Sequence, residues 1–337
     1  MGERNSAEEQ VSDQLKEHLE MLLPLIDEKL RLDEVKLSQR EMQAAIIIVR
    51  DFIISVSNDD NKDDYAEKPW FAIIFHHVRN WYIERYGESL KRDRDNKAVG
   101  VLLIRDIPVE FSVPLTRGSV EVPNETAWLF FPVDVHHEEN PLEWLQGPPA
   151  LSKLSDVEAK KLKGDAILVA TSLRSINMNF LGIEPSDPVV SGLLEGVRAE
   201  FETAANKILR PSTSDRASAL WTIHIAIERA LKAFSQHRRG SFREIHNLHE
   251  LYDDIAEYGI VASRSHLKRL PRDRDVINDR YGLRGTPSIV EVYGAYKAGL
   301  SIVAELSRSF RRKMNLGGAG LLLRKAPWIT LPGSEEN

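Results

Sequence analysis

The sequence predicts a predominantly helical α+β protein, and three observations carry that prediction. Apolar residues recur at helical spacing over several long stretches, above all between 217 and 310. One region, from 99 to 135, is instead rich in β-branched and aromatic residues with turn residues between its runs. With 337 residues, 42% hydrophobic and 28% charged, the chain has the composition of an ordinary globular protein and the length for two domains. The expected organisation is an N-terminal α+β domain at 1–150, in which helices carry a small antiparallel sheet. A connecting helical segment at 151–186, a helical bundle at 187–313 and a C-terminal tail at 314–337 follow.

Residues 1–10 are polar and acidic and are expected to be disordered. Leu15, Leu19, Leu22 and Leu23 open a helix that Pro24 is placed to interrupt. Ser38 and Glu41 have the spacing of a capping box and introduce a second helix through Ala44, Ile47, Ile48, Phe52 and Ile53. SNDDNKDD at 57–64 reads as a solvated loop, since it lacks the Gly and terminal Glu that an EF-hand requires. A third helix is expected from Trp70 to about Tyr86, stopped by Gly87. The adjacent His76 and His77 point to different sides of it.

The runs 99–106, 109–115 and 126–135 predict a sheet packed on those amino-terminal helices. His136, His137, Glu138 and Glu139 are metal-ligand types, yet contiguous residues of one short loop rarely converge on one ion, so no metal is expected. QGPPALSKLS at 146–155 marks the domain boundary.

Beyond it, helices are expected from about Asp156, and from Pro188 through Phe201, until Arg210, Pro211 and Ser212 break the second. Asp215 is the expected cap of the next helix, whose seam is Leu220, Ile223, Ile227, Ala230, Leu231 and Phe234. His224, Glu228 and Lys232 form a stripe beside that seam. The preferred reading is a solvated ladder, and the alternative is a polar line facing a groove.

Two capping boxes, Ser241 with Glu244 and Asn247 with Glu250, compete to start a helix with Leu248, Leu251, Ile255 and Tyr258 on its buried face and Gly259 at its end. The closing helix is expected to use Thr286 as cap and Pro287 as its first residue, and to end in Arg311, Arg312 and Lys313. After it, a Gly-rich link leads to an apolar patch with Trp328 and Ile329, expected to pack on the protein or on a partner.

Cysteine is absent, which removes disulfides, thiolate nucleophiles and cysteine metal sites. No apolar run has the length of a membrane span, and MGERNSAEEQ is too acidic and polar for a signal peptide, so the expectation is a cytoplasmic protein with no membrane role. There is no P-loop, GxGxxG, GxSxG or HExxH, and no cofactor is expected. The net charge of −6 divides unevenly: residues 201–337 hold 22 Lys and Arg against 15 Asp and Glu (+7), and residues 1–200 hold 23 against 36 (−13). The basic half is suited either to phosphate or to the chain's own acidic half. Its densest cluster is Arg264, Lys268, Arg269, Arg272 and Arg274.

The order IERALKAF, HNLHEL, the RD…RY segment at 274–281 and a long closing helix resembles the HEPN superfamily of helical domains, over about residues 187–313. The resemblance implies a helical bundle that pairs as a homodimer and associates with RNA or a nucleotide. Its members include metal-independent ribonucleases of defence and toxin–antitoxin systems, and also non-catalytic partners and nucleotide binders. The ribonucleases carry an Arg, a polar residue after it, and a His a few residues on. Arg274 and Asp275 match the first two, but Asp279 stands where the His belongs, and an ionised Asp cannot shuttle a proton near neutral pH.

Two Arg–His pairs elsewhere, Arg239 with His246 and Arg243 with His249, offer the same residue types. The candidate catalytic residues are therefore Arg274, His246 and His249, and the candidate nucleic-acid contacts are Arg239, Arg243, Lys268, Arg269 and Arg280. Whether a reaction occurs stays open. The alternatives are a non-catalytic module that binds a nucleotide, RNA or a protein partner, and an N-terminal domain that carries the function while the helical domain dimerises it.

Overall fold

The structure is a computed structural model that describes residues 2–56, 64–87, 89–92, 96–123, 125–181, 183, 187–258, 264–280 and 286–324. It leaves undescribed the side chains of 2–14, 67, 91, 92, 273, 277, 279 and 280. The chain forms two compact units that divide between Asn96 and Lys97, and again between Leu323 and Arg324.

The amino-terminal unit is built from α1 (Gly2–Leu32), α2 (Leu37–Ile47), α3 (Pro69–Tyr86) and the short α4 (Ser89–Arg92). Contrary to expectation, α1 begins at Gly2 and passes through Pro24 unbroken. Pro24 and Glu20 are both exposed, so water can reach the Glu20 carbonyl that loses its helical donor. Leu19, Leu23, Ile26 and Leu30 of α1 pack with Ala44, Ala45, Ile48, Phe71, Val78 and Tyr82 into one core.

The expected Ser38–Glu41 box does not form: the cap is Lys36, which places Ser38 inside the first turn, and Glu41 is buried. Asp27 is buried at the edge of this core, where Tyr86 donates to it and Arg40 approaches at 3.5 Å. α3 ends at Gly87 as predicted. The acidic loop at 57–64 lies almost wholly outside the described residues, as do Gly259, Trp328 and Ile329.

The second unit holds the β structure and the remaining helices. β1 (Lys97–Ile104) and β2 (Ile107–Pro114) form an antiparallel hairpin with Ile104 opposite Ile107. Its two-residue turn puts Arg105 and Asp106 at φ of 50° and 63°, the mirror-image turn that matches strand twist. The hairpin packs on α5 (Asp156–Leu181) and α6 (Pro188–Leu209) and shares one core with them. The compact units thus divide at Asn96 rather than near residue 150. Apolar side chains of β1 and β2 find their partners downstream, among Val169, Leu173, Val197 and Phe201, so the Pro-rich 146–155 segment is a connection inside this unit.

A second small sheet has the order β3–β4–β5, from β3 (Arg117–Val122), β4 (Thr126–Phe130) and β5 (Gly320–Arg324). Two of its strands were not anticipated: β3 is largely exposed, and β5 pairs across almost two hundred residues of sequence, which no local pattern reports.

α6 and α7 (Thr213–Arg239) pack along their length, and α11 (Ile289–Arg308) lies against α5 and α7. Between α7 and α11 come α8 (Leu248–Asp253), α9 (Arg264–Leu267) and α10 (Asp273–Arg280). Of the competing caps, Asn247 is used, its side chain accepting from the amides of His249 and Glu250 at 3.0 and 3.1 Å. α7 starts behind Ser212 instead of Asp215. α11 starts behind Ser288, which forms a complete capping box with Glu291, so the predicted Thr286–Pro287 start is displaced by two residues. Among the described residues no helix is long and apolar enough to cross a membrane.

Candidate functional site

The stripe His224–Glu228–Lys232 is buried, at 5%, 6% and 9% exposure, and the solvated-ladder reading is corrected. The segment that follows α7 turns back at Gly240, which takes the left-handed conformation (φ 74°, ψ 10°), and its residues lie over the stripe. Nε2 of His224 lies 3.0 Å from the backbone carbonyl of His246, so this nitrogen carries the proton. Phe242 sits against Lys232, whose ammonium is 5.7 Å from the ring centroid.

The ammonium donates to Oε1 of Glu228 at 2.7 Å. Nδ1 of His246 approaches the same carboxylate at 3.0 and 3.1 Å. The His246 side chain is 71% exposed while that of Glu228 is 8% exposed. A buried carboxylate on Nδ1 fixes the tautomer of the neutral ring and leaves Nε2 as a base open to solvent. This is an acid–base pair in geometry.

The other predicted residues do not gather around it. Arg239 is taken by Glu257 at 2.7 Å and packs on the Tyr258 ring. Arg243 is taken by Glu250 at 3.1 Å and Asp254 at 3.4 Å. His249 is exposed on α8, where its backbone amide donates to the Asn247 cap. Arg274 is exposed on α10, and among the described residues no hydrogen bond or ion pair joins it to His246 or His249. Lys268 and Arg269 are exposed in the turn after α9, and Arg280 occupies the last position of α10.

A cleft of about 810 Å³ opens in the same unit between α5, α7, α10 and α11. Leu168, Leu220, Leu270, Pro287 and Ala298 supply apolar wall, and Asp165, His266, Arg269, Asp275, Glu291 and Lys297 supply polar groups. Of the predicted site residues whose side chains are described, Arg269 alone reaches this lining. Asp165 and Lys297 are paired at 2.6 Å, with the Tyr293 hydroxyl 3.4 Å from the carboxylate. Burial first, then the Asp165 charge, pushes the Tyr293 phenol well above its ordinary value, so it stays a protonated donor. His266 has a buried Nδ1 without a hydrogen-bond partner among the described residues.

No family model, curated protein or solved structure matches the chain.

The cleft residues Asp165, Gly294 and Lys297, and Tyr293 beside Asp165, were missed by sequence reasoning. The only local signal was Tyr293 and Lys297 at i, i+4 on the closing helix, and Asp165 lies 132 residues from Lys297. The His136–Glu139 loop has a different role. Glu139 holds the guanidinium of Arg174 at 2.7 Å, and Glu138 pairs with Arg117 at 2.9 Å. Arg174 is fully buried; it also donates to the Pro114 and Asp134 carbonyls and stacks on Trp144. Among the described residues no group of three or more His, Asp and Glu side chains converges on a metal position.

Proposed function

We propose that the second unit is a nucleotide- or RNA-associated module of HEPN type, with His246, backed by Glu228, as its acid–base group. The single observation that supports this most is the buried Glu228 carboxylate set against Nδ1 of an exposed imidazole. On RNA, Nε2 would take the proton of a ribose 2′-hydroxyl as that oxygen attacks the adjacent phosphorus. The 5′-oxygen would leave with a proton from solvent, giving a cyclic phosphate and a 5′-hydroxyl end. Arg274 is the cation proposed to stabilise charge at phosphorus. Homodimer pairing and a place in a defence or toxin–antitoxin system belong to the same proposal and rest on the motif order alone.

Cleavage of a mixed RNA pool tests it. The expectation is activity in the wild type, strong loss in His246→Ala, and a shifted pH profile in Glu228→Gln. A wild type that cleaves nothing, with folding verified by circular dichroism, sinks the catalytic part.

A second reading, a module that binds RNA or a nucleotide without chemistry, is favoured because, among the described residues, no hydrogen bond or ion pair joins Arg274 to His246 or His249. It predicts that a labelled oligonucleotide binds the wild type and stays intact. Absence of both binding and cleavage would turn attention to the amino-terminal unit.

A further inference from the structure

We infer that the cleft between α5, α7, α10 and α11 is a pocket for a nucleoside phosphate, either free or at the end of an RNA strand. The inference rests on the reading of this unit as nucleotide- or RNA-associated, and it adds the site and the shape of the ligand. Four cations, Lys268, Arg269, Arg272 and Arg274, are exposed within seven residues of a segment whose Arg269, Leu270, Pro271 and Asp275 line the cleft. None of the four has a carboxylate partner among the described residues. Four neighbouring cations are paired instead: Arg239 with Glu257, Arg243 with Glu250, Arg264 with Asp253 and Lys297 with Asp165. A run of unpaired cations on a rim is an electrostatic mouth for phosphate, and Arg269 and Arg272 bring the planar fork that suits it.

The interior asks for something else. Among the described residues its one deep cation, Lys297, is already neutralised by Asp165, which leaves no deep cation there for a second full negative charge. What remains is apolar wall for the faces of a ring, and polar edges from Asp165, Ser301, His266 and the carboxylates of Asp275 and Glu291, the last held in the Ser288 capping box. A ligand with an anionic end and a flat, hydrogen-bonding body matches both halves. The volume, about 810 Å³, falls within the roughly 300–1,000 Å³ of small-molecule sites.

Gly294 adds an independent observation. It sits inside α11, where glycine is unfavourable, and a Cβ there would meet nothing within 4 Å. Protein packing therefore does not require this glycine. The cleft it lines gains depth from the missing side chain, which lets a ligand approach the helix backbone.

Calorimetric titration with adenosine and guanosine 5′-monophosphate, inorganic phosphate and a short 5′-phosphorylated RNA tests the inference on the full chain. We expect a mononucleotide or the RNA end to bind, and Gly294→Leu, which fills the cleft, to weaken that binding at least roughly tenfold. Arg269→Gln, a surface change that spares the core, should weaken it too and lower the dependence on salt by about one phosphate contact. Binding of the RNA alone, lost in Gly294→Leu, supports the strand end as the ligand. Binding of RNA that is indifferent to both substitutions overturns the pocket and leaves the nucleic-acid reading standing. Equal binding of inorganic phosphate and mononucleotides overturns the nucleoside part. No binding of any probe overturns both readings.

Discussion

Nδ1 of His246 lies 3.0 Å from Oε1 of Glu228, and that same oxygen accepts from Lys232 at 2.7 Å. One buried carboxylate thus serves an exposed imidazole and a buried ammonium together. Its removal therefore has a structural consequence as well as a chemical one.

Glu228→Leu leaves Lys232 buried without a counter-charge and should lower stability by about 3–5 kcal/mol. The double variant Glu228→Leu/Lys232→Met removes both charges and should recover most of that loss. Urea unfolding of the three proteins measures it. An equal loss in single and double variants would show that the pair is not what the carboxylate sustains.

Arg174 gathers the end of β2, the 133–139 loop and α5 around one buried guanidinium. Arg174→Ala leaves Glu139 and two carbonyls without their donor, and a loss on the order of 3–5 kcal/mol follows from breaking such a pair. A drop under about 1 kcal/mol in chemical unfolding would mean that water replaces the guanidinium without cost.

Two glycines of α11 should respond in opposite directions. A Cβ on Gly299 would come within 3.0 Å of Ile223, 3.2 Å of Ile227 and 3.4 Å of Phe201. Gly299→Ala should therefore destabilise by about 1–3 kcal/mol, because α7 and α11 are forced apart. Gly294→Ala, in open space, should stabilise by about 0.5–1 kcal/mol through helix propensity. Thermal unfolding that moves both variants the same way would contradict the packing described here.

The acid limb of stability should carry the mark of Glu139. Burial alone, the largest single influence, would raise its pKa, but the hydrogen bonds from Arg174 and the His136 amide, with the Arg174 and Arg117 charges, together outweigh it and hold the carboxyl below the ordinary 4.5. As pH falls, the unfolded chain takes up this proton first, so the contribution is complete above about 4.5 and fades as pH drops through the folded value. Between about 4.5 and that folded value, the unfolding free energy of the wild type should fall more steeply with falling pH than that of Glu139→Gln. Parallel curves would remove Glu139 from the acid response.

Much of the helical framework was legible because its signals are local. The seam Leu220–Phe234 of α7, the start of α6 at Pro188 and the stop at Gly87 depend on periodicity and on backbone groups within a few residues. The candidate site was legible in part. His246 was among the residues singled out, and so was the stripe that supports it, but the two were not joined. The link crosses 18 residues and depends on how the 240–247 segment folds over α7.

By itself, then, the sequence determined a predominantly helical α+β chain, most of its long helices and the basic run at 268–274. Each follows from hydrophobic period, capping chemistry or composition, which act over one or two turns. The tertiary structure alone decided that the β1–β2 hairpin belongs with α5 and α6, that Glu228 is buried behind His246, and that Asp165 meets Lys297 in a cleft. Those outcomes are choices of partner between distant segments. They are settled by which apolar faces can bury each other and which charges must then be matched, and no local pattern encodes that.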